Sequence, residues 1–157
     1  PFLRKHLPSI YLFQKLSKYG QVQQILAGKY KLIRNLGKGA SCEVKLAKHL
    51  SNNETFAIKI FQKSNDEKLE ELFLNEVSVM DTLKHKNVIK YIEYGTGDIV
   101  RIEDNVVKSE KRVNYIVLEL AQQGDLFDVI ARLGSFEESI AKYFFIQLME
   151  GLEFCHN

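Results

Sequence analysis

Along residues 30–62 the apolar positions recur at every second residue. In "YKLIRNL", Tyr30, Leu32, Arg34 and Leu36 alternate with Lys31, Ile33 and Asn35; in "CEVKLAKH", Cys42, Val44 and Leu46 alternate with Glu43, Lys45 and Ala47. A period of two belongs to a strand with two different faces, so both segments are expected as strands, with a glycine-bearing turn between them. "SNNET" is rich in turn residues, and the "FAIKIF" that follows is apolar almost throughout, as a well-covered strand would be. Over residues 66–84 the period changes. Leu69, Leu72, Phe73, Val79, Met80 and Leu83 fall within about 60° of one line at about 100° per residue, which predicts an amphipathic helix.

"VIKYIEY" and "NYIVLEL" read as two further strands, joined by a polar stretch from about Thr96 to Arg112 that fits an extended hairpin or a mobile loop. Beyond "AQQG", Leu126, Phe127, Ile130 and Leu133 share one helical face, and Gly134 is a good residue to end that helix. Ser135, three residues before Glu138, predicts a capping box ahead of a long helix with Ala141, Phe144, Phe145, Leu148 and Leu152 at core spacing. The predicted order is five strands with one helix after the third, then two helices. That is an α+β fold in two bodies joined near residues 119–124.

Composition narrows the classes. With 157 residues, 45% of them hydrophobic, the chain has apolar material for one ordinary core. A net charge of +2, with both signs interspersed, gives no reason to expect a nucleic-acid partner. Residues 1–29 differ from the rest, since Arg4, Lys5, Lys15, Lys18 and Lys29 stand there without an acid. Together with the apolar cluster Ile10, Tyr11, Leu12, Phe13 and Leu16, that basic segment admits a membrane-surface or docking role. A solvated linker or the end of an upstream region is the plainer reading. Two cysteines, Cys42 and Cys155, make no disulfide framework and no metal motif, which suits a reducing, intracellular and cytoplasmic setting. The chain begins at Pro1 rather than Met, so a piece of a longer protein is expected.

Two misplaced charges carry the chemistry. Lys59 shares a strand face with Ala57 and Phe61, where an ammonium must be paired or lose its charge. Taken alone, it could be a lysine whose stem lies on the sheet and whose head reaches water. Glu76, however, sits in the apolar stripe of the helix, where a lone carboxylate is costly. A Lys59–Glu76 ion pair would answer both anomalies. The glycine turn "GKGASC" is followed by a strand rather than a helix, which excludes a Walker A loop and a dinucleotide turn. Between two strands it can act as a flap whose amides cover phosphates, with Lys59 beneath it as a point charge.

These residues resemble the amino-terminal half of a eukaryotic protein kinase domain. "LGKGASCEV" is similar to the kinase glycine-rich loop with Cys42 at its third glycine, "FAIK" to the lysine strand, and "NEVSVMDTLKHKNVIK" to the helix of the partner glutamate. "NYIVLELAQQGDLFDVI" resembles the fifth strand, hinge and next helix, and "GSFEESIAKYFFIQLMEGLEFCHN" the helix that precedes the catalytic loop. The last two are most like serine/threonine kinases of the calcium/calmodulin-dependent and AMP-activated type.

The resemblance implies a kinase-like α+β fold: a five-stranded antiparallel sheet with one helix over residues 30–121, and the start of a helical lobe over 122–157. It implies ATP and Mg²⁺ as cofactors and protein substrates as partners. Lys59 would hold the α- and β-phosphates and Glu76 would fix Lys59, the two catalytic positions in this stretch. Gly37, Lys38, Gly39, Ala40, Ser41 and Cys42 would form the phosphate flap. Leu36, Val44 and Ala57 would enclose the adenine and Leu118 would be the gatekeeper. The backbone of Glu119 and Ala121 would bond the adenine edge, with Asp125 at the ribose. Met80 and Tyr91 would belong to the hydrophobic column of the active state.

Cys42 departs from the pattern, stiffening the flap tip relative to glycine and placing a thiol there. It is read as a tolerated replacement rather than a redox switch. The H-R-D catalytic loop and the D-F-G metal ligand, which the family places next, are absent from these residues. The implied function is the ATP-binding part of a protein kinase, the fragment itself being inactive. The alternative is a naturally truncated, non-catalytic nucleotide-binding or interaction module. Without the rest of the helical lobe, Phe144, Phe145 and Leu148 are expected to be partly exposed.

Overall fold

The computed structural model describes residues 22–39, 42–62 and 67–157. Ala40, Ser41 and the cluster Ile10–Leu16 lie outside them. In chain order the elements are β1 (Gln23–Leu26), β2 (Tyr30–Lys38), β3 (Cys42–His49), β4 (Thr55–Gln62), α1 (Glu67–Thr82), β5 (Tyr91–Glu103), β6 (Val106–Glu119), α2 (Leu126–Leu133) and α3 (Glu138–His156). The strands are antiparallel and close on themselves in the order β1-β2-β3-β4-β6-β5.

Closure through a sixth strand corrects the five-stranded antiparallel sheet expected from the sequence. The added strand is β1, inside the segment taken for linker. It pairs on one side with β2, Leu26 opposite Tyr30, and on the other with β5, Gln23 opposite Ile102. Four residues, two of them glutamine, carry no periodic signal of their own. They become a strand because the β5–β6 hairpin runs on beyond β4 and the other edge of β5 is there to pair with. The stretch 96–112 is the hairpin of the two alternatives. β5 and β6 pair from Tyr91↔Leu118 to Glu103↔Val106, and the turn Asp104–Asn105 has φ of 49° and 64°. Positive φ at both central residues is what a two-residue hairpin turn needs, and Asp and Asn tolerate it.

Alternation along the strands divides two faces. Leu26, Tyr30, Leu32, Ala47, Ile58, Ile60, Val113, Tyr115 and Val117 fill the barrel interior. The outer face carries Leu46 on β3, Ala57, Lys59 and Phe61 on β4, and Asn114, Ile116 and Leu118 on β6, with Ala57↔Leu118, Lys59↔Ile116 and Phe61↔Asn114 as direct partners. Helix α1 lies on that outer face, where its Phe73 and Val77 join Phe61 and Ile116 in a second buried cluster. Phe61 and Phe73 meet edge to face at 5.2 Å.

The buried stripe of α1 is narrower than the pattern suggested, and it is rotated. Leu72 and Val79 are 60% and 57% exposed, while Phe73 and Val77 are buried. The contact line runs through Phe73, so Glu76 stands at its flank rather than its centre. At the other end, α3 begins at Glu138 with Glu137 as its N-cap and no side-chain cap bond, so the capping box on Ser135 does not form. Phe144, Phe145 and Leu148 are exposed. Helix α3 is tied to the loop after α1: Asn87 Nδ2 donates to the Gln147 carbonyl at 2.9 Å and to Glu150 Oε2 at 3.0 Å, and the His85 ring stacks on Phe154 at 5.0 Å.

Candidate functional site

Lys59 is the middle residue of β4, directly opposite Val44 of β3 and Ile116 of β6. Its Nζ lies 2.6 Å and 2.8 Å from the two carboxylate oxygens of Glu76, and the two side chains are each 25% exposed. The same ammonium stands 5.3 Å from the centre of the Phe61 ring. A charge half out of water is held by a carboxylate on one side and an aromatic face on the other, so it stays fixed without full burial.

The glycine turn closes above this strand pair. Gly37 stands opposite Val44 and Lys38 opposite Glu43, and the Gly39 amide donates to the Cys42 carbonyl at 2.8 Å. Cys42 is half-buried, opposite Phe61, and packs on the cluster beneath α1. The side chain at the third-glycine position thus fills space against that cluster. Ala40 and Ser41, at the tip, lie outside the described residues.

Beside Lys59 along the same face opens a cleft of about 800 Å³. Six of the residues singled out in the sequence line it: Leu36, Ala57, Leu118, Glu119, Ala121 and Asp125. Ala57 is two residues from Lys59, about 7 Å along the strand. Lys59, Val44 and the glycine turn border the cleft and are not among its lining residues. The segment after β6 forms one wall: the last ladder pair is Phe56↔Glu119, so the backbone of Leu120 and Ala121 runs on without a cross-strand partner. Glu119 is held by Lys90, whose amide donates to its carboxylate at 2.7 Å and whose carbonyl accepts from its amide at 2.9 Å.

Met80 and Tyr91 come together in a smaller apolar cavity of about 320 Å³ at the end of α1, and Tyr91 also packs on the cluster under that helix. Burial, then the nearby Asp81, pushes the Tyr91 phenol above its ordinary pKa. Among the described residues no group of three or more His, Cys, Asp or Glu side chains stands where it could hold a metal ion. No helix among them is long and apolar enough to cross a membrane.

The sequence reading missed ten of the sixteen lining residues, Arg34, Leu46 and Ile89 among them. Leu46 was recoverable, because it shares a strand face with Val44. It also missed Asn114, 3% exposed in the middle of β6. Asn114 Nδ2 donates to Glu70 Oε2 at 2.9 Å, and its Oδ1 accepts from the Thr96 hydroxyl at 2.7 Å. The available signal was an amide inside the apolar run "VNYIVL".

A strand lysine clamped by a helix glutamate, beside a cleft where a sheet gives way to helices, is the arrangement of the smaller lobe of a protein kinase. The family model for the protein kinase domain matches residues 30–157, and the chain belongs to that family. It is 36% identical over 132 residues to CBL-interacting serine/threonine-protein kinase 9 of Arabidopsis thaliana, covering 83% of this chain and 27% of that one. It is 36% identical over 138 residues to CBL-interacting serine/threonine-protein kinase 17 of the same plant, covering 87% and 29%. CBL-interacting protein kinase 31 of Oryza sativa subsp. japonica is also 36% identical over 132 residues, covering 83% and 26%. The chain therefore spans under a third of the length of these relatives. Among solved structures, Rad53 residues 1–466 in complex with AMP-PNP superposes with a TM-score of 0.63 at 22% identity, covering 82% of this chain and 30% of that one. That likeness is one of fold.

Proposed function

We propose that these residues are the ATP-binding part of a protein kinase that, in its full-length form, transfers the γ-phosphate of ATP to serine or threonine of protein substrates. The observation that carries the reading is the two-oxygen clamp of Glu76 on Lys59 at the side of the cleft. A clamped ammonium is pre-aimed, so a polyphosphate gains its charge without the entropy of ordering a free lysine. In this reading Leu36, Ala57 and Leu118 enclose the adenine, and Val44 closes the same face next to Lys59. The backbone of Glu119 and Ala121 bonds the adenine edge, and Asp125 reaches the ribose. The flap from Gly37 to Cys42, with Lys38, covers the phosphates.

ATP supplies the transferable phosphoryl group, and Mg²⁺ would neutralise its charge. These residues bind and orient it. The catalytic Asp and the metal ligands of the family belong to its H-R-D and D-F-G segments, which are not in this sequence. Lys59 and Glu76 act here as the phosphate-positioning pair. The serine/threonine type is supported by the relatives named above.

The test is a titration of the 157-residue chain with a fluorescent ATP analogue. The wild type is expected to bind saturably. Lys59→Met should weaken binding by about tenfold or more, the loss of one charge-assisted contact, with the far-ultraviolet circular dichroism unchanged. Equal affinity in the two proteins would overturn the reading.

A further inference from the structure

Helix α1 touches the sheet through a ridge, Phe73 and Val77, that by itself leaves the helix free to roll. Two carboxylates flank the ridge. Glu70 lies three residues before Phe73 and Glu76 three residues after it, about 60° to either side at 3.6 residues per turn. Glu76 is taken by Lys59 of β4, and Glu70 by Asn114 of β6. Asn114 is in turn braced by its direct cross-strand partner, Thr96 of β5.

We propose that Asn114 is a positioning residue for nucleotide binding: by joining Glu70 to Thr96 it fixes the roll of α1 on the sheet, and through α1 it holds Glu76 on Lys59. A primary amide buried directly opposite Phe61, on the sheet face that α1 covers, is costly unless its donor and acceptor are both used. Here each has a partner on a different element, so the amide is satisfied in one placement of the helix. Rolling α1 to move Glu76 outward sweeps Glu70, on the opposite flank, inward across the sheet and out of its bond to Asn114, which leaves a buried donor without its acceptor. The latch and the ion pair therefore stand or fall with the same motion of one rigid helix. The inference rests on the reading that Lys59 serves a nucleotide.

The experiment compares the 157-residue wild type with Asn114→Leu, Glu70→Leu and Glu70→Gln. Glu70 and Thr96 are exposed and leucine repeats the branched outline of asparagine, so Asn114→Leu strands no buried polar group, whereas Glu70→Leu removes the acceptor of the Asn114 amide. Two quantities are read: hydrogen exchange of the α1 amides without nucleotide, and affinity for a fluorescent ATP analogue, each also in a Glu76→Ala background. Asn114→Leu and Glu70→Leu should raise α1 exchange about fivefold and weaken affinity by about threefold to tenfold. Glu70→Gln keeps an acceptor oxygen for Asn114 and should restore both. In the Glu76→Ala background, Asn114→Leu should change affinity by less than about twofold, since the route to Lys59 is already broken.

Unchanged α1 exchange in Asn114→Leu overturns the latch. So does an affinity loss of equal size in both backgrounds, the mark of a merely structural role, or a Glu70→Gln as damaging as Glu70→Leu. If Lys59→Met binds the analogue as the wild type does, the nucleotide reading fails by itself, and exchange still decides whether Asn114 holds the helix.

Discussion

The Tyr30 phenol donates to Glu93 Oε1 at 3.0 Å, and the neighbouring Lys29 Nζ stands 3.2 Å from the same oxygen. Tyr30 opens β2 and Glu93 lies near the start of β5, strands that are not neighbours but are joined through β1. The contact ties the two sides of the closing strand together at the floor of the barrel. Around it, the Tyr30 ring meets His49, Phe56 and Tyr115 edge to face at 5.1, 6.1 and 6.4 Å.

Tyr30→Phe keeps the ring and removes the hydrogen bond, so it should cost about 1 kcal/mol of unfolding free energy near neutral pH. Burial first, and then the hydrogen bond to Glu93, raise the Tyr30 pKa well above its ordinary 10.0. A raised folded-state value means that the neutral phenol is favoured by folding. Its stability is complete below pH about 10 and is lost as pH rises from there toward the folded-state value. Urea unfolding of wild type and Tyr30→Phe at stepped alkaline pH should therefore show the wild type losing its advantage above pH 10. Lysines and the similarly raised Tyr115 titrate in both proteins, and the difference isolates Tyr30.

A second test addresses the seam between β1 and β5. Gly97 lies so close to the β1–β2 turn that an added Cβ would fall 2.7 Å from Ala27 Cβ. Ala27 cannot yield easily, since its own φ of 50° is already in the left-handed region and its amide donates to the Asp98 carbonyl. Gly97→Ala should destabilise the fold by about 1–3 kcal/mol and raise hydrogen exchange in residues 23–29 before the rest of the barrel. Gly37→Ala meets nothing within 4 Å and serves as the control.

The seam also marks where the sequence stopped being legible. Strands β2 and β3 announced themselves by period, β4 by its apolar run after a turn, and Lys59 and Glu76 by being charges in apolar company. The ion pair was inferable because each anomaly needed the other. β1 was not inferable, because Gln23–Leu26 is too short for a pattern and its pairing partner is an edge some 75 residues away. For α1 the period was right and the face was displaced: leucines outnumber the contact residues, and where the helix touches is decided by Phe61 and Ile116 on the sheet. Asn114 was hidden for the opposite reason. A single amide in a strand looks like a surface residue until the helix that covers it is in place.

The Lys59–Glu76 clamp makes a prediction about stability that is separate from nucleotide binding. Lys59→Met leaves the Glu76 carboxylate facing the sheet without its cation, at a cost of about 1–2 kcal/mol given its partial exposure. Glu76→Gln leaves an amide oxygen for Lys59 to donate to and should cost less. The double variant Lys59→Met/Glu76→Gln should recover part of the loss in the single Lys59→Met, because no charge is then stranded. Thermal or urea unfolding of the four proteins closes the cycle, and strict additivity would mean that the pair is not coupled in solution.

The loop after α1 offers a pH test of how α3 is held. Hydrogen bonds from Lys86, first, and from Asn87 keep the Glu150 carboxyl below its ordinary pKa of 4.5. Lowering means that the ionised form is favoured in the folded state. The contribution is present above pH 4.5 and fades as pH falls below it toward the folded-state value. Asn87 does more than feed Glu150, since the same side-chain nitrogen donates to the Gln147 carbonyl while Gly151 packs on the Asn87 backbone. Glu150→Gln should therefore flatten the acid-dependent rise in α3 hydrogen exchange and leave exchange at neutral pH close to wild type. Asn87→Ala should raise α3 exchange at every pH. If Glu150→Gln retained the full wild-type acid dependence, the carboxylate would not be what ties the helix to the loop under acid.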